Sequence, residues 1–124
     1  MLATYCIFNQ QLDTMEWTAL STEGELNELI ESSDTLLVCI FKHSTRCSIS
    51  TMVRSRLENG WKAENDNTIF YYLDVLKHRE LSDRIADKFS ITHQSPQLII
   101  LKNGNVAHHS SHTSISAEVI ESLA

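Results

Sequence analysis

Leu36-Leu37-Val38-Cys39-Ile40-Phe41, followed after a short polar stretch by Thr45-Arg46-Cys47-Ser48-Ile49-Ser50, is the stretch that decides the fold. The first six residues are apolar without alternation, the pattern of a central strand covered on both faces. After the cysteine, Ile49, Met52, Val53, Leu57 and Trp61 fall on one helical face, and Gly60 suits the end of that helix. Cys47 therefore stands at a strand-to-helix junction, where backbone N–H groups and the helix dipole favour a thiolate. Ser50 occupies the place of the second cysteine of a dithiol redox protein. The chain reads as built for thiol–disulfide chemistry with one working sulfur.

Working upstream, Trp17-Thr18-Ala19-Leu20 reads as a first strand. Thr22 with Glu25 makes a capping box that opens a helix to about Ser33, with Leu26, Leu29, Ile30 and Ser33 at helical spacing. Downstream, Thr68 to Val75 is a second buried strand, rich in Ile, Phe and Tyr. Leu81, Ile85 and Phe89 mark a helix from about Arg79 to Phe89, and Gln97-Leu98-Ile99-Ile100-Leu101 is a third strong strand. Asn103-Gly104 is a hairpin turn into Val106-Ala107-His108, and Ser114 is placed to cap a closing helix with Ile115, Val119, Ile120 and Leu123 inward. Alternating strands and helices imply parallel strands joined by crossovers, with one antiparallel pair at the hairpin. The expected fold class is α/β, a mixed central sheet flanked by helices in three layers. The expected domain runs over 15–124. Residues 1–14 are expected to be an extension, in which Tyr5-Cys6-Ile7-Phe8 could form a short strand.

With 124 residues and 42% hydrophobic content, the chain can build one core and not two. A net charge of −6 argues against a broad nucleic-acid footprint. No apolar stretch approaches the length of a membrane span, and no signal-peptide pattern is present. Three cysteines in irregular spacing do not make a disulfide framework, which points to a reducing, cytoplasmic setting. Cys39, inside the apolar run, reads as a packing residue. The run His108-His109-Ser110-Ser111-His112 has no cysteine or carboxylate at ligand spacing and reads as a solvated loop rather than a metal site.

Pro96, the only proline, stands directly before the third strong strand, where a missing N–H does least harm. The element order, a cysteine at a strand-to-helix turn, Ser95-Pro96 before a later strand and a Lys102-Asn103-Gly104 hairpin together resemble the thioredoxin fold. Within that superfamily the chain resembles the YtxJ-like monothiol bacilliredoxins. The resemblance is carried by Phe41-Lys42-His43-Ser44-Thr45-Arg46-Cys47-Ser48-Ile49-Ser50, by His93-Gln94-Ser95-Pro96-Gln97 and by Trp17-Thr18-Ala19-Leu20. It covers about Met15 to Ala124. The chain departs from it at Ser48, where many members have proline.

The resemblance implies a cis bond before Pro96, a proline packed beside Cys47 that keeps metal away, and a Ser95 backbone free to pair with an extended substrate. It also implies the substrate, proteins capped by bacillithiol, a small thiol bearing carboxylates. Cys47 would attack the bacillithiol sulfur and free the client cysteine, with no bound cofactor and bacillithiol as exchanging co-substrate. Catalytic roles fall on Cys47 and Ser50, the Ser50 hydroxyl lying close enough to hydrogen-bond the sulfur. Substrate contacts fall on Thr45, Arg46, Lys42, Ser95 and Pro96. Arg46, Lys42 and His43 could supply cations to the thiolate, and Arg46 and Lys42 could pair with bacillithiol carboxylates or simply be solvated. Two rival readings stay open. One is a monothiol glutaredoxin-like iron–sulfur carrier, against which the missing Gly-Phe between Cys47 and Ser50 counts. The other is a thioredoxin-fold binding module with an unreactive Cys47.

Overall fold

The strand anticipated at Leu36–Phe41 runs instead over Leu37–His43, lies in the middle of the sheet and is buried along its whole length. The computed structural model describes residues 15–61 and 67–124. Its elements are β1 (Trp17–Ala19), α1 (Glu23–Ser32), β2 (Leu37–His43), α2 (Ser48–Gly60), β3 (Thr68–Asp74), α3 (Arg79–Phe89), β4 (Gln97–Lys102), β5 (Asn105–Ser111), a 3₁₀ turn (His112–Ser114) and α4 (Ala117–Leu123). The sheet order is β1-β3-β2-β4-β5. The expected strand at Tyr5–Phe8 and the extension 1–14 lie outside the described residues.

Because side chains alternate along a strand, β2 supplies two cores at once. Leu37, Cys39 and Phe41 face α2 and α4, packing with Val53, Leu57, Phe70, Leu98 and Ile120. Val38 and Ile40 face α1 and α3, packing with Leu26, Leu29, Leu73, Ile85 and Ile99. Helices on both faces of a mixed sheet give the three-layer α/β architecture.

β1, β3 and β2 run parallel, but β4 runs antiparallel to β2 and again to β5. This corrects the expectation that the crossovers make all but the final pair parallel. The reason is the seven-residue segment 90–96, which can span about 23 Å when extended and so returns the chain to the end of the sheet from which α3 sets out. β4 consequently starts where β2 finishes, with Gln97 opposite Lys42.

Local signals account for most boundaries. Thr22 Oγ1 accepts from Glu25 N–H, and the Glu25 carboxylate accepts from Thr22 N–H, completing the capping box. Asn103 and Gly104 both have left-handed backbone, as a two-residue hairpin turn requires. Their N–H groups bond to Ser33, Asn103 to its carbonyl and Gly104 to its hydroxyl, which docks the hairpin on the end of α1.

Four local expectations change. Gly60 is the last residue of α2, but a Cβ there would meet the Ala117 Cβ at 3.3 Å, so it serves close approach of α4 rather than a left-handed cap. Ser114 ends the 3₁₀ turn, and Ser116 is the residue before α4. The histidine run is not a loop: His108 to Ser111 belong to edge strand β5, paired to β4. Lastly, Thr68–Asp74 is only partly buried, Phe70 and Leu73 being its fully inward residues.

Candidate functional site

At the end of β2 the chain turns through Ser44-Thr45-Arg46 and enters α2 at Cys47. The turn closes with Cys47 N–H donating to Ser44 O at 3.2 Å, and Cys47 O accepts the first helical bond from Thr51 N–H. Cys47 is the N-cap residue, yet its side chain makes no capping bond. The sulfur belongs to a partly exposed residue at the mouth of the helix, flanked by exposed Thr45, Arg46 and Ser48.

Behind it lies Ser50, fully buried on the inner face of α2. Its hydroxyl sits 2.6 Å from His43 Nδ1 and accepts the Ser44 N–H at 3.1 Å. Burial chiefly, with the Arg54 guanidinium adding to it and Asp74 opposing, holds His43 below the ordinary histidine range. Among the described residues Ser50 bonds to His43 and Ser44 and not, as expected, to the Cys47 sulfur, and a ring held toward its neutral form supplies no cation. The ring is further held by stacking on Phe41, with centroids 5.6 Å apart.

Lys42 corrects the expectation most sharply. It follows Val38 and Ile40 on the face opposite Cys47 and is 0% exposed. Its ammonium donates to Ser82 O at 3.1 Å and to His93 Nδ1 at 3.2 Å. Burial lowers it to about 8, with Asp83 partly offsetting. It neither faces the sulfur nor stands at the surface to meet a substrate carboxylate.

Register brings the second predicted segment to the same end of the sheet. Gln97 pairs with Lys42, so Ser95 and Pro96 lie just beyond the end of β2 that carries the Cys47 turn. The Ser95–Pro96 peptide bond is cis. Pro96 O accepts from His112 N–H at 3.0 Å, while among the described residues the Ser95 backbone forms no hydrogen bond and its buried Oγ has no partner.

Ile49 and Met52, read from the sequence as part of the inward face, are instead 45% and 47% exposed. Ser50, Val53 and Leu57 take the inner face. That substitution puts two apolar side chains on the surface within a turn or so of Cys47. Cys39 is a core residue whose thiol burial pushes far above its ordinary range. Among the described residues no group of three His, Cys, Asp or Glu could hold a metal ion, and no helix is long and apolar enough to cross a membrane. The sequence reading missed Ser82 and the role of His93. Alternation along β2 puts Lys42 on the same face as Val38 and Ile40, but nothing local to Lys42 points to these partners.

Among the described residues, one partly exposed thiol at the mouth of a helix, at the same end of a mixed five-stranded sheet as a proline that opens an antiparallel strand, marks a thioredoxin-fold protein of the monothiol kind. Solved structures agree on the fold. A provisionally assigned oxidoreductase with a thioredoxin fold is 29% identical, with a TM-score of 0.74 over 86% of this chain and 91% of that one. Schistosoma mansoni thioredoxin is 25% identical, with a TM-score of 0.63 over 87% and 94%. Spinach chloroplast thioredoxin f is 14% identical, with a TM-score of 0.67 over 89% and 92%. The family described as Monothiol bacilliredoxin BrxC matches residues 18–120, and the chain belongs to that family.

Proposed function

We propose that the protein removes bacillithiol from protein cysteines by monothiol exchange at Cys47, in the cytoplasm. The observation that carries this reading is the pairing of one partly exposed cysteine at the N-cap of α2 with a buried serine at the resolving position, its hydroxyl engaged by His43. The thiolate form of Cys47 is the nucleophile, as for any thiol in disulfide exchange. That thiolate attacks the bacillithiol sulfur of a client–S–S–bacillithiol disulfide. The new bond joins Cys47 to bacillithiol, the old bond breaks, and the client sulfur leaves as a thiolate that takes a proton from solvent. Position 50 offers no thiol to close an internal disulfide, so another thiol, small or protein-borne, must attack the adduct at the bacillithiol sulfur; the attacking thiol leaves as its mixed disulfide with bacillithiol, and Cys47 is restored.

Arg46, exposed next to the sulfur, and Thr45 are placed to meet the carboxylates and polar groups of the small thiol. The unpaired Ser95 backbone offers a strand-like contact to the client chain, and exposed Ile49 and Met52 give it an apolar footing. No bound cofactor enters the reaction. Intact mass after exposure to oxidised bacillithiol tests the reading. One adduct mapped to Cys47, and release of bacillithiol from a model client, are the expected results. An unmodified Cys47 sinks it.

A further inference from the structure

A fully buried lysine is rare unless a specific arrangement holds it, and Lys42 is 0% exposed with no carboxylate in ion-pair contact among the described residues. Its partners are Ser82 O of α3 at 3.1 Å and His93 Nδ1 at 3.2 Å. Ser82 Oγ lies 3.2 Å from the same Nδ1. A protonated ammonium only donates, so Nδ1 must accept and the ring proton must sit on Nε2. Opposite Lys42 on β4, Gln97 donates from Nε2 to Thr92 O at 3.1 Å. Side chains from β2, α3 and β4 thus converge on Thr92 and His93, the start of the segment that ends in Ser95–Pro96. That segment has little backbone support of its own, since Ser95 forms no backbone hydrogen bond among the described residues and Pro96 O has only His112 N–H.

We propose that Lys42, acting through His93, is a positioning residue for the Ser95–Pro96 segment on which the client polypeptide lies. The inference rests on Cys47 being the exchange thiol and adds where client recognition is set. An apolar residue at position 42 would spare the desolvation of a charge, but it could not hold the ring in one tautomer. Charge state matters for the same reason. Burial brings Lys42 down to about 8, against the pull of Asp83. Burial, Lys42 and Arg79 keep His93 below its ordinary range, with Asp83 again opposing. Once the ammonium loses its proton, its nitrogen can accept as well as donate. Either tautomer of His93 then fits, and the segment is no longer held in one arrangement.

The test compares the parent with Lys42→Met in two reactions: bacillithiol removal from a protein client, as kcat and KM, and alkylation of Cys47 by iodoacetamide. Lys42→Met is expected to leave alkylation unchanged and raise the client KM about tenfold, the size of one lost charge-assisted hydrogen bond, with kcat within about twofold. In the parent the client KM should rise with pH through a midpoint near 8, and in the variant that rise should be absent. If Lys42→Met fails to fold, His93→Leu should raise KM in the same way, and His93→Gln, whose amide oxygen can accept from Lys42, should restore most of it. A variant with the parent KM, or with the parent pH dependence, overturns the proposal and leaves the exchange function standing. A parent without Cys47-dependent exchange overturns both.

Discussion

Lys42 and His43 are neighbours in sequence, are both buried, and do opposite things on opposite faces of β2. On the α2 side, His43 holds a neutral hydrogen bond to Ser50 beneath Cys47. On the α3 side, Lys42 holds a charged cluster with Ser82 and His93 beneath the proline segment. The thiol end of the site rests on a neutral network and the proline end on an ionic one. The contrast shows that a strand ending at a candidate site can buttress both halves of it from consecutive residues.

The largest contrast is chemical. Cys47→Ser should reduce bacillithiol removal to the uncatalysed rate, because among the described residues the other cysteine, Cys39, is buried in the core. Cys39→Ala should keep the exchange and lose about 1 kcal/mol in urea unfolding, for the cavity left by a buried sulfur. Exchange surviving in the Cys47 variant would remove the reason for treating the α2 side as the reactive one.

Next in size is the effect of a thiol placed at each network. Ser50→Cys creates the C-x-x-C spacing at the start of α2, within bridging reach. Under oxidation it should become lighter by two hydrogens and lose the stable bacillithiol adduct. Ser82→Cys, on the other face, should keep the adduct and form no internal bridge. A stable adduct on the Ser50 variant would place that residue away from the sulfur.

Stability separates the two networks by a smaller margin. His43→Ala removes the partner of a buried hydroxyl and the ring stacked on Phe41, and should cost roughly 2–3 kcal/mol. Lys42→Met removes a buried charge and should be neutral or stabilising by about 1 kcal/mol at pH 7. Denaturant midpoints of the two variants decide this, and equal losses would mean that the networks are energetically alike.

The smallest effects lie in the pH dependence of stability. The folded-state pKa of His43 is lowered, so as pH falls below about 6.5 the unfolded chain takes up the proton first and stability falls. Lys42 is lowered from 10.5 to about 8, so between those values the unfolded chain still holds a proton that the folded one has lost, and stability rises with pH. His43→Phe should make the acid limb shallower without abolishing it, since His93 and His108 are also held low. Lys42→Met should remove the alkaline rise and shift the acid limb slightly, since Lys42 helps hold His93 low. Urea midpoints across pH 5 to 10 test the assignment.

Much of this was legible in the chain itself. The unbroken run Leu36–Phe41 marked the central strand, and Thr22 with Glu25 and Asn103-Gly104 marked a helix start and a hairpin, because these signals act between residues close in sequence. The string around Cys47 identified the family, since it repeats a local active-site pattern rather than a long-range contact. Tertiary structure alone decided the direction of β4, which depends on how far residues 90–96 travel after α3. It also decided that Ile49 and Met52 face outward while Ser50 faces in, because periodicity gives a face but not which edge of that face the sheet covers. Above all it turned Lys42 from a candidate surface cation into a buried donor. Its partners Ser82 and His93 stand 40 and 51 residues away. No local pattern encodes contacts at that separation, which exist only once β2, α3 and the segment before β4 are packed together.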